Sequence, residues 1–132
     1  MGHPQFLSAT RSLLAVVDDD ESVRESLPDL LRELGFGVEA FSSAEEFLES
    51  DPAERTQCLV LDVNMPGMTG PELQRELSRR GVKIPIIFIT AQADETVRPG
   101  LLEQGAVECL FKPFGESELL DALKAALGTP EA

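Results

Sequence analysis

The chain has 132 residues, a length that predicts a single domain. With 42% hydrophobic and 27% charged residues it has the composition of a packed globular chain, not of a disordered one. Eleven basic against twenty-four acidic residues leave a net charge of −13, which argues against direct nucleic-acid binding and against attachment to anionic membranes by this segment.

Apolar runs of strand length alternate with amphipathic helical segments five times. The predicted strands are Leu13–Val17, Val38–Phe41, Cys58–Leu61, Ile84–Ile89 and Val107–Leu110. They are short and lack polar alternation, as strands of a parallel sheet covered on both faces do. The first helix, Glu21–Leu34, sets Val23, Leu27, Leu30, Leu31 and Leu34 on one face, with Gly35 as its stop. Pro28 lies inside it, and the strength of the apolar pattern predicts a kink there rather than a break. Ser42 and Ser43, with Glu45 and Glu46 three residues on, offer a capping box for a short second helix ending near Leu48. The third helix has Pro71 early, Leu73 and Leu77 inward, and Arg79, Arg80 and Gly81 at its end. The fourth segment, Asp94–Gln104, contains Pro99-Gly100, which predicts either a kinked helix or one that starts late with Pro99 in its first turn. The fifth runs from about Ser117 to Gly128. Residues 1–11 read as a disordered tail, 12–128 as the domain and 129–132 as a tail or linker stub.

The longest apolar runs, Leu13–Val17 and Ile84–Ile89, fall far short of the roughly 20 residues a membrane span needs. No basic region, apolar stretch and small-residue cleavage site open the chain, so the expected location is the cytoplasm. Cys58 and Cys109 sit in apolar runs without metal-ligand spacing and read as reduced core residues.

Five βα units with right-handed crossovers give an α/β fold with a doubly wound parallel sheet, and such sheets bind ligands at the carboxyl ends of their strands. Asp18, Asp19, Asp20 and Glu21 follow the first strand, Asp62 and then Asn64 the third, Thr90 and Ala91 the fourth, and Lys112-Pro113 the fifth. Taken singly each has an ordinary explanation: a solvated acidic first helical turn, a turn aspartate, a strand-end hydroxyl, a surface lysine. Together they converge on one rim. Crowded carboxylates call for a hard divalent cation, most simply Mg²⁺. A lysine and a hydroxyl opposite such an ion suit phosphoryl oxygens, and a central carboxylate can act as nucleophile to form an acyl phosphate. The inventory suits phosphoryl transfer onto an aspartate.

The sequence resembles the receiver domain of bacterial two-component response regulators, more loosely their FixJ-like type. The motifs that carry the resemblance are Val16-Val17-Asp18-Asp19-Asp20-Glu21, Leu61-Asp62-Val63-Asn64-Met65-Pro66-Gly67-Met68-Thr69-Gly70, Ile89-Thr90-Ala91 and Lys112-Pro113-Phe114. The resemblance spans Leu13 to Leu127 and implies the flavodoxin-like (βα)5 fold with strand order 2-1-3-4-5. It implies Asp62 as phosphoacceptor, with the phosphoryl group coming from a partner sensor histidine kinase. By the same resemblance Mg²⁺, for which Mn²⁺ can substitute, binds Asp19, Asp62 and the main-chain carbonyl of Asn64, and reaches Asp18 through water. Thr90, Ala91 and Lys112 are implied to hold the phosphoryl oxygens, and the Lys112–Pro113 bond to be cis. The implied product is a phosphoprotein with phosphotransfer and autodephosphorylation chemistry of its own rather than a conventional enzyme. It would work by a two-state shift, with a homodimer through the fourth-helix, fifth-strand and fifth-helix face. Receivers of this type usually precede a DNA-binding output domain, so a transcription regulator is the expected context, with a stand-alone regulator or a non-phosphorylated scaffold as alternatives.

Two positions depart from the family pattern. Cys109 stands where the family usually carries an aromatic switch residue, and a thiol cannot sweep out the same volume. Pro99-Gly100 disturbs the fourth helix, so output is expected to use a rearranged helix there or to depend less on that face. The variable positions that tune phosphoryl lifetime in the family are Asn64 and Gln92 here. A haloacid-dehalogenase-like phosphatase would want a second aspartate where Asn64 stands, and a dinucleotide-binding domain a Gly-x-Gly-x-x-Gly after the first strand. Neither is present.

Overall fold

A computed structural model describes residues 13–50, 55–91 and 96–128. The tails assigned to 1–11 and 129–132, the first residues of the predicted fourth helix and Gln92 lie outside the described residues. Five strands, β1 (Leu13–Val17), β2 (Gly37–Phe41), β3 (Cys58–Asp62), β4 (Ile86–Thr90) and β5 (Glu108–Phe111), form one parallel sheet in the order β2-β1-β3-β4-β5. Five helices follow them: α1 (Glu21–Glu33), α2 (Ala44–Leu48), α3 (Gly70–Arg79), α4 (Val97–Glu103) and α5 (Glu116–Leu127). This is the doubly wound fold expected from the alternation.

The two faces of each central strand feed two cores. Ala15, Val17, Leu59, Leu61 and Phe88 pack with Phe47, Leu73, Leu77 and Leu101 of α2, α3 and α4. Leu14, Val16, Val60, Ile87 and Ile89 pack with Leu27, Leu31, Leu119 and Leu123 of α1 and α5. Every residue of β3 and β4 is buried. The expectation of burial on both faces fails at β2, where Glu39 and Ala40 are exposed, because β2 is an edge of the sheet.

Two boundaries, the starts of β4 and α4, move for physical reasons. The strand expected to start at Ile84 starts at Ile86: Pro85 has no N–H to give the ladder, although its carbonyl accepts from Leu59 N at 2.9 Å. Helix α1 runs unbroken through Pro28. Helix α4 takes the late start, with Pro99 as its third residue, where a missing N–H costs no intrahelical bond.

Helix α3 begins with a capping box. Thr69 Oγ1 accepts from Glu72 N at 3.3 Å, and the Glu72 carboxylate accepts from Thr69 N at 2.9 Å. This start fixes the end of the loop that leaves β3. Thr69→Ala is expected to lower stability by about 1 kcal/mol, read as a lower urea midpoint at unchanged denaturant slope; an unchanged midpoint would show that the box contributes nothing.

Candidate phosphoacceptor site

The acidic run after β1 splits into separate jobs. Asp18 is fully buried, and its Oδ1 accepts from Asp20 N at 2.9 Å. Asp19 is exposed at the rim. Asp20 is the N-cap of α1, its Oδ1 accepting from Ser22 N at 3.0 Å and Ser22 Oγ at 2.8 Å, and these bonds hold its carboxyl below the ordinary range. Glu21 sits in the first turn of α1. Arg24, a turn further along α1, donates from Nη1 to Asp18 O at 2.9 Å and so clamps the loop.

Asp62 is the last residue of β3 and is 5% exposed. Carboxylate oxygens of Asp18, Asp19 and Asp62 lie within 4.8 Å of one another. From the end of β5, Lys112 Nζ reaches Asp18 Oδ2 at 2.9 Å and lies 3.9 Å from Asp62 Oδ1. The ammonium therefore rests on Asp18, with Asp62 next to it. Burial works against the Lys112 charge, but the hydrogen bond to Asp18 and the surrounding carboxylates outweigh it and hold the ammonium above its usual range. Asp62 is pushed up to about 7, first by burial and then by the Asp18 carboxylate, against the opposing pull of Lys112.

The strand ends bring the other sequence candidates to the same rim. Thr90 closes β4, fully buried, and its carbonyl accepts from Lys112 N at 2.8 Å, which ties the two strand ends together. Ala91 follows it, exposed. Asn64 is exposed on the loop two residues beyond Asp62. The Lys112–Pro113 bond is cis. Cys109 stands away from this rim, opposite Phe88 on β5 and buried in the core between the sheet and α2–α4, where burial raises its thiol. The neighbouring Glu108 Oε1 accepts from Arg98 Nε and from Cys109 N, both at 2.9 Å, so α4 is tied to β5 beside that thiol.

Four contributors, Arg24, Glu45, Gly67 and Gly70, were given no role at the site by the sequence. Glu45, read there as half of a capping pair, leaves the capping to Ser43 and Glu46. Its Oε2 accepts instead from Met68 N at 3.0 Å, bracing the loop after β3. Gly67 in that loop has φ +75°, and a Cβ there would come within 2.9 Å of the same Glu45 oxygen. Gly70 donates from its N to Val63 O at 3.0 Å and packs so tightly that a Cβ would strike the Asp62 carbonyl oxygen. The Arg24 clamp and the Glu45 brace join residues from different elements, and only the two glycines left a trace, inside the Gly67-Met68-Thr69-Gly70 motif.

Three carboxylates and one ammonium on a buried rim carry an excess of negative charge. Oxygen donors at this spacing match what a small hard divalent cation prefers, with room for water and further oxygens. The donor set therefore fits Mg²⁺.

A family model described as the response regulator receiver domain matches residues 14–124. Nodulation protein W of Bradyrhizobium diazoefficiens is 46% identical over 125 residues, which cover 95% of this chain and 54% of that protein. The response regulator protein TodT of Pseudomonas putida is 44% identical over 123 residues, 93% of this chain and 54% of its own length. Among solved structures, the response regulator StyR superposes with a TM-score of 0.81 at 50% identity, covering 89% of this chain and 59% of its own. The FixJ-N structure gives a TM-score of 0.81 at 37% identity, with 92% of this chain and 97% of that one covered. The chain thus spans about half the length of the full relatives it matches.

Proposed function

The chain belongs to the family of response regulator receiver domains, and on that premise we propose that Asp62 accepts a phosphoryl group from a partner sensor histidine kinase. The observation that carries this is the position of Asp62: buried at a strand end, within 4.8 Å of two further carboxylates and 3.9 Å from a lysine ammonium. No sequence-local cap or turn role accounts for that placement.

The chemistry asks for positioning and charge neutralisation more than for covalent help. An Asp62 carboxylate oxygen attacks phosphorus, an O–P bond forms, and the P–N bond of the phosphohistidine breaks toward the imidazole. Asp62 must be ionised to attack, so burial and the Asp18 carboxylate, which raise its carboxyl, oppose the reaction until a cation offsets them. Lys112 is close enough to both aspartates to pass from Asp18 toward a phosphoryl oxygen with a small side-chain movement. Thr90 offers a hydroxyl from the adjoining strand end, and Ala91 its backbone N–H. Mg²⁺, or Mn²⁺ in its place, held by Asp19, Asp62, the Asn64 carbonyl and through water Asp18, would neutralise the oxygens that these groups leave uncovered.

Signalling follows as a shift between two states of the β4–β5 side. Cys109 brings too little volume to follow Thr90 as an aromatic ring would, so the Arg98–Glu108 tie is the link that reports on α4. A homodimer through α4, β5 and α5, and an output as part of a DNA-binding transcription regulator, complete this reading; FixJ of Azorhizobium caulinodans, 39% identical, is described as a transcriptional regulatory protein. Among the described residues no helix is long and apolar enough to cross a membrane.

The test is intact-protein mass after incubation with acetyl phosphate, with and without Mg²⁺. One phosphoryl adduct is expected in the wild type with Mg²⁺, and none in Asp62→Asn or without the ion. An adduct that persists in Asp62→Asn, or its absence in the wild type while a control receiver is modified, overturns the assignment.

A further inference from the structure

At the opposite end of the sheet from Asp62, the C-terminal ends of α3 and α4 and the segment entering β4 enclose a cleft of about 450 Å³. Its apolar wall is Leu77, Val82, Ile84, Pro85 and Ile86. A volume of this size lies within the range of small-molecule sites.

Gln74 of α3 lines the same cleft and is 9% exposed. Its Nε2 donates to Gln104 O, the C-cap carbonyl of α4, at 3.2 Å. Its Oε1 is the one buried side-chain polar atom among the described residues without a hydrogen-bond partner. Native interiors seldom leave such an acceptor uncompensated, because its desolvation is then unrecovered. A terminal amide turns about a broad torsion, so Gln74 can exchange its bond to Gln104 O for an orientation with this oxygen toward the cleft that its side chain lines.

We propose that this cleft binds a small uncharged molecule with an apolar body and a single O–H or N–H donor, the donor satisfying Gln74 Oε1. Two arguments set that chemistry. The C-terminal ends of α3 and α4 line the cleft through Ser78, Gly81, Gln104 and Gly105, and the partial negative charge of such ends favours a donor over an acceptor. Among the described residues no acidic side chain lines it and its one charged residue is the exposed Lys83, so an ammonium or guanidinium would meet no counter-ion, while the helix C-terminal ends work against an anion.

The probes are phenol, which has the donor, and fluorobenzene, which has the same body without it, each titrated into the labelled domain and followed by amide chemical shifts. Saturable shifts are expected at Gln74, Ser78, Val82, Ile86 and Gln104, with phenol bound about fivefold more tightly, the effect of one modest hydrogen bond. Gln74→Met keeps the volume and removes the acceptor, so it should bring the two probes to equal affinity. Ser78→Phe, an exposed change at the mouth, should weaken both and serves if the Gln74 variant does not fold. Asp62→Asn should leave the preference intact, which keeps this site separable from the phosphoacceptor assignment. No saturable shift with either probe, or an equal preference in wild type and Gln74→Met, overturns the proposal and leaves the cleft as a packing defect.

Discussion

Asp62→Asn will make the domain more stable in divalent-free solution, by about 2–4 kcal/mol at about pH 8, and the gain will disappear near about pH 4. The carboxyl of Asp62 stands at about 7 in the folded chain, raised first by burial and then by Asp18. Unfolded, it titrates near ~3.9. Below the unfolded value both states hold the proton, and the group has no effect on stability. Between the two values the folded state holds the proton that the unfolded state has released, so stability falls as the pH rises. Above about 7 both states are ionised and the whole penalty is present, at about 1.4 kcal/mol per unit of separation. An asparagine removes a charge that the fold holds against its preference, at nearly the same volume. Lys112 is not stranded by the change, because its shorter contact is to Asp18. Urea denaturation of both proteins in a chelating buffer, at three pH values across this window, checks the sign and the slope. A wild type as stable as the variant at the alkaline end, or a gap that widens toward acid, would contradict the electrostatic description of the site. Adding Mg²⁺ should narrow the gap, since a ligand stabilises the form that binds it better.

That strain was half legible in the sequence. Asp18, Asp62 and Lys112 could be set at strand ends because Leu13–Val17, Cys58–Leu61 and the run before Phe111 are apolar and of strand length, and a parallel sheet brings their carboxyl ends to one rim. Helix number followed from the same alternation, whereas the strand order came only with the family resemblance. Which acid of Asp18–Glu21 does what was not legible, since four adjacent acids differ only in the direction that the turn into α1 gives each side chain. Asp20 and Glu21 took the helix-start roles that acidic residues commonly have, while Asp18 was drawn inward to Lys112. Pro99 gave two readings, a kink or a late start, and the late start is the one that wastes no hydrogen bond. Glu45 was misread because a capping pattern within four residues is visible in sequence, whereas a contact with Met68, 23 positions away, is not.

Gly70→Ala will cost about 3 kcal/mol of stability, at the upper end of overpacking penalties, and will also slow the phosphoryl transfer proposed for Asp62. The reason is space, not backbone conformation: Gly70 is not among the glycines with positive φ. It opens α3 directly beneath the end of β3, and a Cβ there would strike the Asp62 carbonyl oxygen and come within 3.0 Å of Phe88 Cε1. Neither neighbour can yield cheaply. The carbonyl belongs to a central strand, and the Phe88 ring is fully buried in the core beneath α3. The start of α3 would have to lift away from the sheet, loosening the Gly70 N to Val63 O bond and the loop that Glu45 braces. Alanine's helix propensity would return at most ~1 kcal/mol, less than the clash takes. Gly100→Ala provides the opposite sign on the same fold. Gly100 lies within α4, exposed, with nothing among the described residues within 4 Å of an added Cβ, so that change should stabilise by about 0.5–1 kcal/mol. Paired urea denaturation separates the two, and the rate of adduct formation from acetyl phosphate reports whether Asp62 has moved. If Gly70→Ala is neutral, or destabilises without slowing the adduct, the tight seat of α3 on β3 is not what holds Asp62 in place.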